Sequence, residues 1–130
     1  MAQHYIDPPY LIKGLKFDLR IYVLLAGINP MRIYLFEEGL ARFATQKYQP
    51  PKTSNMKDQY MHLTNYAINK QSKNYVPNND ASGNGDGHKK SLNQIYADIV
   101  QKEGRTKGLP KIKEMKKKIK DIIIKTLITG

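Results

Sequence analysis

Lys16, Asp18 and Arg20 occupy alternate positions of the stretch KFDLRIYVLL, residues 16–25. Side chains alternate faces along a strand, so these three charges share one face with Tyr22 and Leu24. Phe17, Leu19, Ile21, Val23 and Leu25 share the other face, which belongs in a core. In the next segment Arg32, Tyr34 and Phe36 alternate with Met31, Ile33 and Leu35, and Arg42 follows shortly after. Two readings of the charged face are open. One is a wetted sheet face, with cross-strand charge pairs contributing ~0.2–1 kcal/mol each. The other is a phosphate site. There Arg20 and Arg42 would clamp anionic oxygens bidentately, Lys16 would add a point charge, and Asp18 would orient its neighbours.

HLTNYAIN, residues 62–69, is a second candidate. Thr64 and Asn65 offer short polar contacts suited to ribose, phosphate or a metal-bound water, and taken alone they also read as a polar turn. His62 reads as a structural hydrogen-bonder, because one isolated histidine carries no acid-base argument. NNDASGNGDG, residues 78–87, lacks both the GK[ST] ending of a P-loop and the spaced acids of a calcium loop, and reads as a mobile loop.

These residues need a scaffold, and the pattern supplies an α+β one. Residues 16–25 and Met31–Glu37 read as an antiparallel hairpin turned by Gly27, Asn29 and Pro30. Gly39 is expected to break the second strand, leaving Leu40–Ala44 as a third short strand or an irregular edge. Residues 46–60 and 71–90 read as long polar loops. Ser91 is expected to cap a helix over 91–102, with Leu92, Ile95, Tyr96, Ile99 and Val100 at helical spacing. Gly104, Gly108 and Pro110 are expected to interrupt before a second helix over 111–128, with Ile112, Met115, Ile119, Ile122 and Ile123 as its apolar stripe. Three short strands and two helices bury little core, so the chain reads as a piece of something larger.

Length and charge bound the classes. The 130 residues are 40% hydrophobic and carry a formal net charge of +11. From Lys89 onward 12 Lys and Arg stand against 4 Asp and Glu, so this last third holds +8 of the +11. Such an excess attracts polyanions without choosing among them. No cysteine is present, which excludes disulfides and thiol chemistry. No apolar run approaches the ~20 residues of a membrane helix, and MAQHYIDPPY lacks the apolar centre of a signal peptide. No membrane partner and an intracellular, cytoplasmic setting are expected. No nucleic-acid motif accompanies the basic charge, so no nucleic-acid partner is expected.

QHYIDPPYLIKGLKFDLRIYVLLAGINPMRIYLFEEGLARFATQKY followed by MHLTNYAINK resembles the tubulin tyrosine ligase-like family, nearly continuously over residues 3–75. KFDLR, GLARFAT and MHLTNYAINK in that order and spacing carry the resemblance. It implies a fragment of an ATP-grasp domain, antiparallel strands followed by two amphipathic helices. It also implies an enzyme that joins an amino acid to a carboxylate through an acyl phosphate, driven by ATP. On that resemblance Gln3, His4, Tyr5 and Ile6 grip the adenine edge, Lys16, Asp18, Thr64 and Asn65 contact ATP, and catalytic Arg20 reaches the phosphate end. Arg42, Tyr66 and Lys89 would hold the incoming amino acid. MHLTNYAINK is most similar to the polyglutamylases, which implies free L-glutamate as substrate and an acidic tubulin tail on microtubules as partner. The cytoskeleton, with the cilium or basal body, is the implied setting. Mg²⁺ is implied too, with its ligands expected in a motif downstream of this chain, so the piece alone is expected to be inactive. Two alternatives stay open: a non-catalytic basic module for acidic tails, and a tyrosine- or glycine-adding member. The lysine-rich face of the last helix suits an acidic tail and equally suits solvent.

Overall fold

The computed structural model describes residues 3–78 and 87–129. The elements run β1 (Leu15–Ile28), β2 (Met31–Lys47), α1 (Gln59–His62), α2 (Tyr66–Asn69), β3 (Lys89–Ser91), α3 (Leu92–Glu103) and α4 (Arg105–Thr129). The strands form one sheet in the order β1-β2-β3, and β3 runs antiparallel to β2. The class is therefore α+β, with the sheet first and the long helices last. The chain divides into two compact units, each drawn from two stretches. Met1–Arg20 and Leu40–Ser91 make the first, Ile21–Gly39 and Leu92–Gly130 the second.

In the first unit Ile12, Ala41, Phe43, Ala44 and Met61 are buried. The Phe17 ring lies 5.3 Å from that of Phe43, and Tyr10 meets Phe17 edge-on at 6.4 Å. Entry to β1 is a tight turn at Lys13 and Gly14, closed by paired backbone bonds between Ile12 and Leu15. Both central residues take positive φ, 51° and 76°, which is the geometry a two-residue hairpin requires. The turn folds residues 3–12 back along the strand.

The second unit holds the outer hairpin, α3 and α4. Leu92, Ile95 and Ile99 on α3 and Ile112 on α4 are buried. Lys111 Nζ reaches Glu103 Oε1 at 2.8 Å and ties the end of α3 to the start of α4.

Several expectations need correction. β2 does not break at Gly39. The ladder passes through this buried glycine, since lost entropy of about 1 kcal/mol is less than the cost of abandoning paired backbone groups. Gly104, at φ 78°, is the single interruption between α3 and α4. Gly108 and Pro110 lie inside α4, in its first two turns. Gly108 lets the helices close: a Cβ there would stand 2.9 Å from Val100 Cα. Ser91 ends β3 and stands directly before α3, so the helix begins at Leu92. The α4 stripe runs through Ile112, Met115, Ile119, Ile123 and Leu127, while Ile122 is exposed. Val23 and Leu25 are each 39% exposed, so the apolar face of β1 enters a core only at its beginning.

The polar stretches also gain structure. Tyr60 and Gln59 begin α1, capped by the Asp58 side chain, which accepts from Tyr60 N–H at 3.1 Å. Residues 71–75 form hydrogen-bonded turns, and Lys89 and Lys90 belong to β3. The rest of the expected mobile loop, 79–86, lies outside the described residues.

Candidate functional site

Three strands of the first unit bring charge to one sheet face. Arg42 on β2 pairs bidentately with Asp18 on β1: its Nε donates to Oδ1 at 3.1 Å, and a terminal nitrogen donates to Oδ2. In the β2–β3 register Arg42 stands opposite Lys89. Directly opposed residues of an antiparallel pair point the same way. Lys16 lies two residues from Asp18 on the same strand, so Lys16, Asp18, Arg42 and Lys89 share a face. The fork geometry fixes the Arg42 guanidinium in a way one ammonium contact would not.

Lys16 is held from the other side. Its Nζ donates to Tyr5 Oη at 3.2 Å and to the His62 carbonyl at 3.0 Å, and lies 4.6 Å from the Tyr5 ring centroid. His62 Nε2 lies 3.0 Å from the Asn55 carbonyl, so it carries the proton and donates. Nδ1 is then the acceptor and takes the Tyr5 hydroxyl at 2.7 Å. His62 is thus the structural hydrogen-bonder expected of it. Next to this chain of contacts Tyr48 donates to Asp7 Oδ1 at 2.7 Å. Its own pKa is pushed up, first by partial burial, then by the bond to Asp7 and by Tyr5.

Asn69 organises the HLTN turn. Its Oδ1 accepts both the Thr45 N–H at 3.0 Å and the Thr45 hydroxyl at 2.9 Å. Its Nδ2 donates to the carbonyls of Leu63 and Asn65 at 2.8 and 3.1 Å. At 1% exposure it locks Thr64 and Asn65 to β2. Thr64 is half-buried, and Asn65 is exposed as the N-terminal cap position of α2.

Lys89 Nζ stands 3.5 Å above the centroid of the Tyr66 ring, a close cation–π contact. Tyr66 meets Tyr75 at 6.0 Å, and Tyr75 stacks on His88 at 5.5 Å. The structure therefore joins Lys16 with Tyr5, Asp18 with Arg42, and Tyr66 with Lys89. It does not join Gln3, His4, Ile6 or Arg20 to them: all four are exposed, and Arg20 has no side-chain partner among the described residues. Asn69, Tyr48, Asn55, Tyr75 and His88 escaped sequence reasoning. Asn69 alone left a trace, as an amide inside the HLTNYAIN stretch.

A cavity of about 480 Å³ in the second unit is lined by Ile21, Phe36, Glu38, Tyr96, Lys116 and Lys120 among others. It contains none of the candidate residues. The residues expected from the sequence to contact phosphate are in the first unit, and the candidate site is placed there on that ground. Among the described residues no three His, Asp or Glu side chains converge to hold a metal. No helix among them is long and apolar enough to cross a membrane.

The family model for the tubulin-tyrosine ligase family matches residues 1–130. The chain belongs to that family. It is 47% identical over 130 residues to a probable beta-tubulin polyglutamylase of Tetrahymena thermophila, covering 100% of this chain and 10% of that protein. It is 44% identical over the same length to tubulin polyglutamylase TTLL13 of Mus musculus, 15% of which is covered. It is 42% identical to tubulin monoglutamylase TTLL4 of the same organism, again over the whole chain and 10% of the relative. The chain thus spans between 10% and 15% of the length of these relatives.

Proposed function

We propose that this chain is the central ATP-grasp portion of a ligase that adds glutamate to glutamate side chains in the acidic C-terminal tails of tubulin. The observation that carries the reading is the shared face of Lys16, Asp18–Arg42 and Lys89 in a chain matched end to end by the family. ATP, as substrate, supplies the phosphoryl group that turns the acceptor carboxylate into an acyl phosphate. Both that step and the amine's attack build charge on phosphoryl oxygens, so fixed cations are the expected device. Lys16, Asp18, Thr64 and Asn65 hold the nucleotide, with Tyr5 and its neighbours Gln3, His4 and Ile6 at the base. The donor set suits a phosphate-bearing ligand: two donors of the Lys16 ammonium are fixed on Tyr5 and His62, which aims the group. Arg20 reaches the phosphate end. Arg42, Tyr66 and Lys89 hold the incoming glutamate, and positioning carries most of the rate.

The described residues do not fit a Mg²⁺ site. Asp18 is bound to Arg42, Asp98 accepts from Gln94, and Glu103, Glu114 and Asp121 pair with lysines. Mg²⁺ ligands would therefore lie outside the described residues. The relatives named above are glutamylases, which favours glutamate over tyrosine or glycine. A cytoskeletal setting follows from the same names.

The test uses the full-length protein, labelled glutamate, tubulin and Mg-ATP. Lys16→Ala and Arg42→Ala are each expected to abolish transfer without unfolding the protein. Retained activity in both refutes the assignment. A second reading is favoured by the exposed lysines of α4, Lys113, Lys116, Lys117, Lys118 and Lys120: a basic module that binds acidic tails without catalysis. It expects salt-sensitive microtubule binding and no heat of ATP binding in calorimetry.

A further inference from the structure

β3 is an edge strand of three residues, yet it carries Lys89. So short a strand does not hold a lysine in place by its own ladder. The residue before it does more. His88 donates its backbone N–H to the Val76 carbonyl at 2.9 Å, and its carbonyl accepts from Phe43 N–H at 2.9 Å. Its imidazole Nδ1 accepts the Val76 N–H at 2.9 Å. Nδ1 accepts only without a proton, so the ring is neutral with its hydrogen on Nε2. That ring stacks on Tyr75 at 5.5 Å and 29°. Tyr75 meets Tyr66, and Tyr66 lies under Lys89. Residues 88 and 89 are consecutive, so the contacts close into a loop: His88 to Tyr75, to Tyr66, to Lys89, and back.

We propose that His88 is a positioning residue whose neutral imidazole clips the Tyr75–Val76 turn to β3 and so holds Tyr66 beneath Lys89 to receive the carboxylate-bearing amino acid. The substrate half rests on the proposed function, which takes Tyr66 and Lys89 as the amino-acid contacts. Protonation of Nδ1 would set one N–H against another and open the clip. Around His88 the titratable groups are Tyr75 from the turn, Lys89 next in sequence, and Lys13 and Lys90, which line a small cavity with it. None of these described neighbours is a carboxylate, and three are lysines, which disfavour an imidazolium charge. Burial already holds the imidazole below its ordinary range.

The test is made on the full-length protein between pH 5.5 and 7.5. In the wild type, KM for glutamate should rise as pH falls while kcat changes less. The inflection should match the His88 pKa measured by imidazole C2 deuterium exchange and mass spectrometry. His88→Asn places an amide oxygen where Nδ1 was and cannot protonate, though it gives up the stack on Tyr75, so KM should become insensitive to pH. His88→Phe keeps the stack on Tyr75 and loses the acceptor. Its KM should rise about tenfold at pH 7.5, the usual scale for one lost hydrogen bond. Amide exchange at Val76 should quicken in His88→Phe and in the wild type at low pH. Unchanged Val76 exchange in His88→Phe overturns the clip. A pH-dependent KM in His88→Asn overturns the link between clip and substrate. Absence of glutamate transfer by the wild type overturns the proposed function and, with it, the substrate half; Val76 exchange still decides the clip.

Discussion

Replacing Asn69 with alanine removes four hydrogen bonds at once, and the structure sets what each is worth. Leu63 and Asn65 are exposed, so water can reach their carbonyls when the amide leaves, and those two losses are small. Thr45 is 5% exposed, and its N–H and hydroxyl then face no acceptor. An orphaned buried donor costs about 1–3 kcal/mol, and the vacated volume adds to it, so the total is about 3 kcal/mol. At about 1.4 kcal/mol per factor of ten, amide exchange at Thr45 should quicken by roughly a hundredfold. Exchange mass spectrometry on the full-length protein reads this locally, without requiring the whole chain to unfold in one step. Asn69→Asp keeps an acceptor for Thr45 but sets a carboxylate oxygen against two carbonyls, so Thr45 should stay better protected than in Asn69→Ala while residues 63–65 loosen. A change at Thr45 below about threefold in Asn69→Ala would refute the keystone role, since ~0.6 kcal/mol is within the scatter of surface substitutions.

Three further outcomes follow. Asp18→Asn should cost only about 1 kcal/mol or less in stability, because the paired side chains are 35% and 24% exposed. It should nonetheless raise the KM for glutamate by misorienting Arg42, and an unchanged KM would contradict the assigned role. Gly108→Ala gains up to ~1 kcal/mol of helix propensity but drives a Cβ to 2.9 Å from Val100 Cα, and overpacking of ~1–3 kcal/mol should win. Thermal melting should therefore shift down, and an upward shift would show that the helices part easily. Tyr48 should be among the last tyrosines to ionise in a titration followed at 295 nm, and Tyr48→Phe should remove that late component. Because its pKa is raised in the fold, the matching stability is full below the ordinary value of 10.0 and declines as pH climbs above it.

What could be read from the residues was whatever depends on period. Alternation placed β1, and the i, i+3, i+4 spacing of Leu92, Ile95 and Ile99 placed α3. Position along an element was harder, because the deciding partner lies elsewhere in the sequence. Gly39 looks like a break until a neighbouring strand occupies its backbone groups. Gly108 looks like a break until Val100 is seen to need the space. β3 is Lys-Lys-Ser, too short and too polar to announce a strand, and it exists because Leu40–Arg42 offers it an edge. Within the site, Lys16, Asp18 and Arg42 stood out by charge, as did Arg20, which is exposed, while Lys89 came only from the resemblance. Their supports did not: Tyr5, His62 and Asn55 lie up to 57 residues apart and meet through the turn at Lys13 and Gly14. Val23 and Leu25 show the opposite failure, since an alternating pattern says which face is apolar and not whether anything covers it.

The interleaving of the two units has a consequence for synthesis. The polypeptide leaves the first unit after Arg20, re-enters at Leu40, and leaves again after Ser91. Neither unit can be excised as one uninterrupted segment. As the chain emerges from the ribosome, residues 1–20 must wait for the strand end beginning at Leu40, and then for β3, before Lys16 and Lys89 occupy one face. The outer hairpin, with Leu24, Ile28, Tyr34 and Phe36 exposed, emerges in that interval. It waits longer for its own helices, which begin at Leu92. Such delayed, long-range closure favours slow folding and gives bare strand edges time to find the wrong partner. The hairpin that links the two long strands of the charged face is therefore the segment that most needs protection while the protein is being made.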